Sequence, residues 1–247
     1  MRTANPALND KTFDIAIPSA NAMTLSGTVT RCFFLLALCV GAAAFTWMQT
    51  IPAPGQVAPN TSLFLIGGAV VGMIFSLITI FKPTWAAVTG SIYALAEGVF
   101  LGALSATFES RFPGIAAQAA GGTFGTLAGL LLIYATGLVK PSENFKLGIL
   151  AATSGIALVY LASMVLGFFG IAIPYIHQSG VVGIGFSLFV VVIAALNLVL
   201  DFDFIENGCE AGAPRYMEWY AAFGLLVTLV WLYVEILRLL SKLRSRD

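Results

Sequence analysis

The chain alternates long apolar runs with short polar breaks. Seven runs of mostly apolar residues cover about 29–50, 61–81, 84–108, 115–139, 146–170, 179–202 and 216–240. A helix needs roughly 20 such residues to cross the hydrocarbon of a bilayer, so each run is predicted to be a membrane-spanning helix. The breaks carry turn chemistry. "IPAPGQVAPNTS" has three prolines and no charge, "FKPT" is a tight connection, and "ESRFPG", "KPSEN" and "IPYIHQSG" combine proline with polar residues. Strict alternation of the kind a membrane barrel needs is absent, and helices satisfy their own backbone in lipid. The reading is an all-α, seven-helix membrane bundle over residues 28–247. Residues 1–27 are read as a flexible, polar N-terminal arm.

Composition strengthens this. Of 247 residues, 59% are hydrophobic and 10% are charged, and the mean hydropathy is +0.93. Soluble domains carry about 25% charged residues, so the partner expected for this surface is a lipid bilayer. Twelve basic residues balance twelve acidic ones, which gives no footprint for nucleic acid. The cysteines, Cys32, Cys39 and Cys209, lack metal-ligand spacing, and a single histidine rules out a multi-histidine metal site. No cofactor and no enzymatic chemistry are expected, and no protein partner can be read. His177 sits in the loop before the sixth run, as an ordinary exposed side chain or a minor pH-responsive group.

Charge in the loops sets orientation. With the N-terminus in the cytoplasm, the inside segments hold Arg2, Lys11, Arg31, Lys82, Lys140, Lys146 and Arg215, and the outside loops hold Arg111. That favours a multi-pass protein of the cell inner membrane with its N-terminus inside. Seven full spans then leave Arg238, Lys242, Arg244 and Arg246 outside, unless the last segment is re-entrant. The run from 216 to 240 is long enough to cross.

Small residues in "GGAVVG", "GALSA" and "AAGGTFGTLAG" suit close helix packing in lipid. Ionisable residues at bilayer depth are the functional signal, because each costs several kcal/mol, about 2.5–3.5 on insertion scales. Glu97 lies near the middle of the third run. Tyr93, Glu97 and Ser105 share one helical face, so Glu97 is expected to reach the sixth or last helix. Asp201 and Asp203 close the sixth run, about 200° apart around a helix. Asn197 shares a face with Asp201, so Asp201 is expected to face the bundle interior. Asp203 and Glu206 are then expected at the membrane surface or in the following loop. In the last run Glu235 and Arg238 are three apart and can pair. Thr228 lies on the same face as Glu235, and Glu218 at the opening of the run suits a helix dipole.

Three features together, "YALAEGVFLGALSATFE" in the third run, an aspartate closing the sixth, and a last run ending in "EILRLLSKL", resemble the Bax inhibitor-1 family, in particular a bacterial branch. The resemblance covers about residues 28–243. It implies six helices around a central one, and a pH-sensitive calcium leak in which two intramembrane aspartates sense protons. Asp201, or Asp203, matches the aspartate of the sixth helix, and Glu97 matches the acidic position of the third. The position of the second aspartate is Thr228 here. A threonine cannot share a proton with Asp201, so the coupled titration of a carboxylate pair is not expected. Glu235 could substitute only if the last helix were shifted or bent.

The leading function is therefore a cation leak channel passing Ca²⁺ or H⁺ past Glu97 and Asp201, with carboxylates, Asn197 and Thr228 as hard oxygen-rich ligands. The alternative is a non-conducting membrane regulator or adaptor. An intramembrane aspartyl protease is disfavoured, because Asp201 and Asp203 face apart on one helix. A metabolite transporter would show inverted repeats, and none is visible.

Overall fold

A computed structural model describes residues 21–51, 58–137, 141–170 and 179–245. Among the described residues there are seven long helices: α1 (Leu25–Thr50), α2 (Thr61–Phe81), α3 (Ala86–Arg111), α4 (Ile115–Ala135), α5 (Glu143–Phe168), α6 (Val181–Glu210) and α7 (Met217–Arg244). All seven are long and apolar enough to span a bilayer. The chain is a multi-pass integral membrane protein, as its hydropathy predicts.

The helix starts follow local chemistry. Thr24 caps α1 by accepting from the Gly27 amide at 3.0 Å, and Ser142 caps α5 from the Phe145 amide at 3.3 Å. One 3₁₀ turn, Pro83–Trp85, joins α2 to α3. At the α3–α4 corner Gly114 takes a left-handed conformation, φ 83°, and the Glu109 carboxylate accepts from the Gly114 and Ala116 amides.

Two expectations change. The sixth helix does not end near residue 202. It continues to Glu210, so Asp203 and Glu206 are helical rather than in a loop. The polar side chains there find partners on neighbouring helices, which lets the helix run past the apolar segment. The helix of the first run starts at Leu25, and the residues before it are held: the Met23 amide donates to the Ala213 carbonyl at 2.6 Å, and the Arg215 amide to the Asn21 carbonyl at 2.9 Å. The segment at 21–23 thus pairs with the α6–α7 connection. Residues 1–20 of the N-terminal arm lie outside the described residues.

Helix α7 packs against α1, α3, α4 and α6, while α2 packs on α3 and α5 on α6. Its sequence has apolar and small residues on every side, and Tyr220, Phe223, Leu232 and Leu237 are fully buried. By contrast α2 and α5 turn large apolar side chains such as Leu63, Ile66, Leu158 and Leu161 outward, the surface a lipid solvent requires.

The small residues divide by role. A side chain at Gly98 or Gly102 would strike the carbonyl oxygens of Cys39 and Ala43, so α1 and α3 touch backbone to backbone. Gly68 likewise faces the α3 backbone, with the Phe100 nitrogen 2.7 Å and the Ala96 oxygen 2.8 Å from where a Cβ would stand. In α4, Gly121, Gly125 and Gly129 have open space. Close packing explains Gly68, Gly98 and Gly102, but not those three or Gly67 of α2, which also has open space.

The last helix is continuous from Met217 to Arg244. Its far end meets the α3–α4 corner, where Arg244 donates to the Pro113 carbonyl at 2.7 Å and to Gln118 Oε1 at 3.0 Å. Ser245 meets Ser179 at the start of α6. The start of α1 and the end of α7 therefore lie at opposite ends of the bundle.

Candidate functional site

The sixth and seventh helices pack against each other, and of the polar residues of "NLVLDFDFIENG" Asn197 and Asp201 are buried between helices. Asp201 is 0% exposed, and Asn197 is buried one turn before it. The face shared by these two residues does look inward. Asn197 donates through Nδ2 to Thr153 Oγ1 of α5 at 2.9 Å and to the Ile193 carbonyl at 2.8 Å. Across the seam Thr228 of α7 is buried too, with its hydroxyl 3.4 Å from the Gly224 carbonyl. Cys32 of α1 lies within electrostatic reach of Asp201. The sixth-helix carboxylate is thus enclosed by protein, at a depth where α1 as well as α7 is a neighbour.

Asp203, on the opposite side of α6, is two turns inside the helix end and only partly buried. It pairs with Lys146 of α5 at 2.8 Å, and Lys146 also reaches Glu143 at 3.1 Å. Glu206, one turn further, accepts from the Tyr134 hydroxyl of α4. The aspartates have therefore separated in role: Asp201 is inside the bundle, and Asp203 ties α6 to α5.

Glu235 is 1% exposed and held by fixed donors. The Tyr160 hydroxyl of α5 is 3.0 Å from both carboxylate oxygens, and Arg238 Nη1 is 3.0 Å from Oε1. The Glu235–Arg238 pair is the one the spacing predicts. Glu235 lies seven residues beyond Thr228, about 10 Å along a helix axis. No shift or bend brings it into the place of a second aspartate. Two turns on, Lys242 Nζ donates to the Gly183 carbonyl at 3.0 Å and to Ser187 Oγ at 2.7 Å.

Glu97 is placed differently from the expectation. Its face of α3 does approach α7, since Ser105 bonds the Tyr233 hydroxyl at 2.6 Å and Tyr93 stacks edge-on against Phe223 at 5.0 Å. The Glu97 side chain instead bends toward α2, where Oε1 is 3.0 Å from the position of a Cβ at Gly72. Its electrostatic neighbours are Tyr93 and Cys39. The absence of a side chain at Gly72 opens that space, which the spacing along α3 alone does not reveal. Glu97 and Asp201 therefore lie beside different parts of α1, near Cys39 and Cys32.

A third buried carboxylate was legible only as a helix-dipole residue. Glu218, 1% exposed, accepts from the Thr24 amide and hydroxyl, both at 2.9 Å, and pairs with Arg31 Nη1 at 2.6 Å. Arg31 is not a loop charge but sits in the second turn of α1, over the Trp219 ring. Lys146, Lys242, Tyr160 and Thr153 were also missed as site residues. Basic residues inside or at the ends of apolar runs were the available signal for the two lysines. His177 lies outside the described residues. Among the described residues no cluster of three or more metal-ligating side chains occurs.

Residues 5–245 match the family described as Bax inhibitor 1 like, nearly the whole chain. A comparison with curated proteins finds no match.

Proposed function

Since the chain belongs to the Bax inhibitor 1 like family, we propose that it is a pH-sensitive cation leak channel, passing Ca²⁺ through the bundle with Asp201 as its proton-responsive group. The observation that carries the reading is the complete burial of an aspartate in a membrane-spanning helix, on a polar face continued by Asn197 and faced by α7. Such a residue is costly in a membrane bundle and marks an ion or proton path by default. Carboxylate, amide and hydroxyl oxygens are the ligands a hard cation takes. Glu97 supplies a second carboxylate on the α2–α3 side. Glu235 and Asp203 are assigned to holding helices together. The protein performs no catalytic chemistry in this reading and needs no cofactor.

The same reading puts the N-terminus in the cytoplasm and the protein in the inner membrane. The basic tail of α7 is compatible with the far side, because Arg238, Lys242 and Arg244 are each engaged by the protein. Reporter fusions at both termini test this. Opposite sides are expected, and a cytoplasmic C-terminus would overturn the orientation.

The test of function is Ca²⁺ flux into liposomes containing only this protein, from about pH 6 to pH 8, a range in which buried carboxylates titrate. The parent should respond to pH and Asp201→Asn should not. Thr228→Asp should add a second carboxylate to the seam and steepen or shift the response, because a close pair titrates in two coupled steps. Coincident profiles for all three proteins overturn Asp201 as the sensor. Absence of flux at every pH overturns conduction and leaves the adaptor reading.

A further inference from the structure

Helices α1 and α4 both pack on α7 but hardly touch one another. Between them runs a crevice made of two adjoining cavities, about 520 and 270 Å³, that share Leu36, Leu226 and Leu229. Its wall on α1 extends from Leu25 to Trp47, about 33 Å at 1.5 Å per residue. That is the thickness of a bilayer's hydrocarbon core, about 30 Å. The lining is nearly all apolar, with Ala, Leu and Phe side chains on both walls and Leu225, Leu226 and Leu229 of α7 as its floor.

Size bears on the occupant: the two cavities hold about 520 and 270 Å³. A hydrocarbon chain about 4 Å across, the contact distance between carbons, occupies only about 380 Å³ over a length of about 30 Å. The crevice therefore has room for acyl chains along its length.

The wider cavity ends at a polar rim. Tyr134 and Glu206 line it, joined by the hydrogen bond from the tyrosine hydroxyl. Tyr134 also lies within electrostatic reach of Asp203 and Glu210. Among the described residues Lys146 is engaged by Asp203 and Arg31 by Glu218. Glu206 and Glu210 are exposed, which leaves this rim acidic. An ammonium group that can donate hydrogen bonds complements it. A quaternary ammonium cannot donate, and an anionic headgroup is repelled.

We propose that the α1–α4 crevice is a lipid site, which holds the acyl chains of an aminophospholipid against α7 with its primary ammonium at Glu206.

The test uses the full chain in nanodiscs made from phosphatidylethanolamine, phosphatidylcholine or phosphatidylglycerol, each with a diazirine in one acyl chain, followed by mapping of the photolabelled residues. Labelling of Leu226 and Leu229 is expected, together with the outward face of α5 at Leu158 and Leu161, which reports bulk lipid in a folded bundle. Leu36→Trp, which narrows the junction of the two cavities, should abolish floor labelling and leave α5 labelling unchanged. The ethanolamine lipid should label the floor about two- to fivefold more than the others, the effect of a partly exposed ion pair. Glu206→Gln should remove that preference while floor labelling persists. An unlabelled floor, or labelling that Leu36→Trp leaves intact, overturns the site. Equal labelling by the three lipids overturns the headgroup assignment.

Discussion

The carboxylates at the two ends of α7 and the carboxylate of the α2–α3 seam meet the same solvent problem in opposite ways. Glu218 and Glu235 are each 1% exposed, and each is supplied with fixed donors: Thr24 and Arg31 at one end, Tyr160 and Arg238 at the other. Glu97 is half-buried and has no hydrogen bond or ion pair among the described residues. A carboxylate with built-in donors is part of the scaffold. One without them, in a membrane helix, must draw its proton, water or cation from outside the protein. Depth alone does not tell which acids the fold holds in place; the supply of donors does.

Breaking the first end should have the largest effect. Glu218→Ala leaves Arg31 without its partner and Thr24 without its acceptor, and it loosens the N-terminal segment from the start of α7. Removing one member of a buried pair costs about 3–5 kcal/mol. Because Arg31 retains some exposure, 18% of its side chain, the lower end is expected, read as a fall in thermal stability in detergent or nanodiscs. A change below about 1 kcal/mol, the range of a surface pair, would mean that the clasp does not hold the bundle. Glu235→Ala should cost less, about 1–3 kcal/mol, the value of leaving buried partners unsatisfied. Its cation Arg238 has a 42% exposed side chain and can turn to water. If Glu235→Ala proves as damaging as Glu218→Ala, the two ends are equivalent.

The seam has its own sharp pair. Gly68→Ala would push a methyl group into the α3 backbone, and overpacking of this kind costs about 1–3 kcal/mol. Gly72→Ala meets only the end of the Glu97 side chain, which can swing away, so it should cost distinctly less. Equal stability losses for the two alanines would show that Glu97 is as rigidly held as backbone.

The seven spans were legible because hydropathy and turn residues act locally, and lipid makes the signal nearly one-dimensional. The inward turn of Asp201 was legible for a related reason: Asn197 one turn away fixes a face, and periodicity converts that into direction. Where a residue's fate depends on another helix, the sequence was silent. Nothing near Glu97 indicates that Gly72, 25 positions earlier, leaves room for its carboxylate. Nothing near Asp203 indicates Lys146, so the helix seemed to end where it continues. Arg31 read as a loop charge because its partner Glu218 lies 187 residues away. Helical periodicity gives a side chain's heading, and only tertiary packing gives its destination.

The smallest effect is expected at the centre of the comparison. If Glu97 has no structural donors, Glu97→Gln removes no protein hydrogen bond and no ion pair. It keeps the shape of the side chain over Gly72 and removes a group that is costly to ionise in lipid. Stability should therefore stay within about 0.5 kcal/mol of the parent, as for substitutions away from networks, whereas the isosteric Glu218→Gln should still lose the pairing with Arg31. The measurement is thermal unfolding of both variants in the same nanodiscs, with Ca²⁺ flux recorded alongside. A stable Glu97→Gln protein with altered flux places Glu97 on the ion path by its chemistry rather than through folding. A Glu97→Gln protein destabilised as strongly as Glu218→Gln would mean that Glu97 holds helices together after all, and the contrast between the ends of α7 and the α2–α3 seam would collapse.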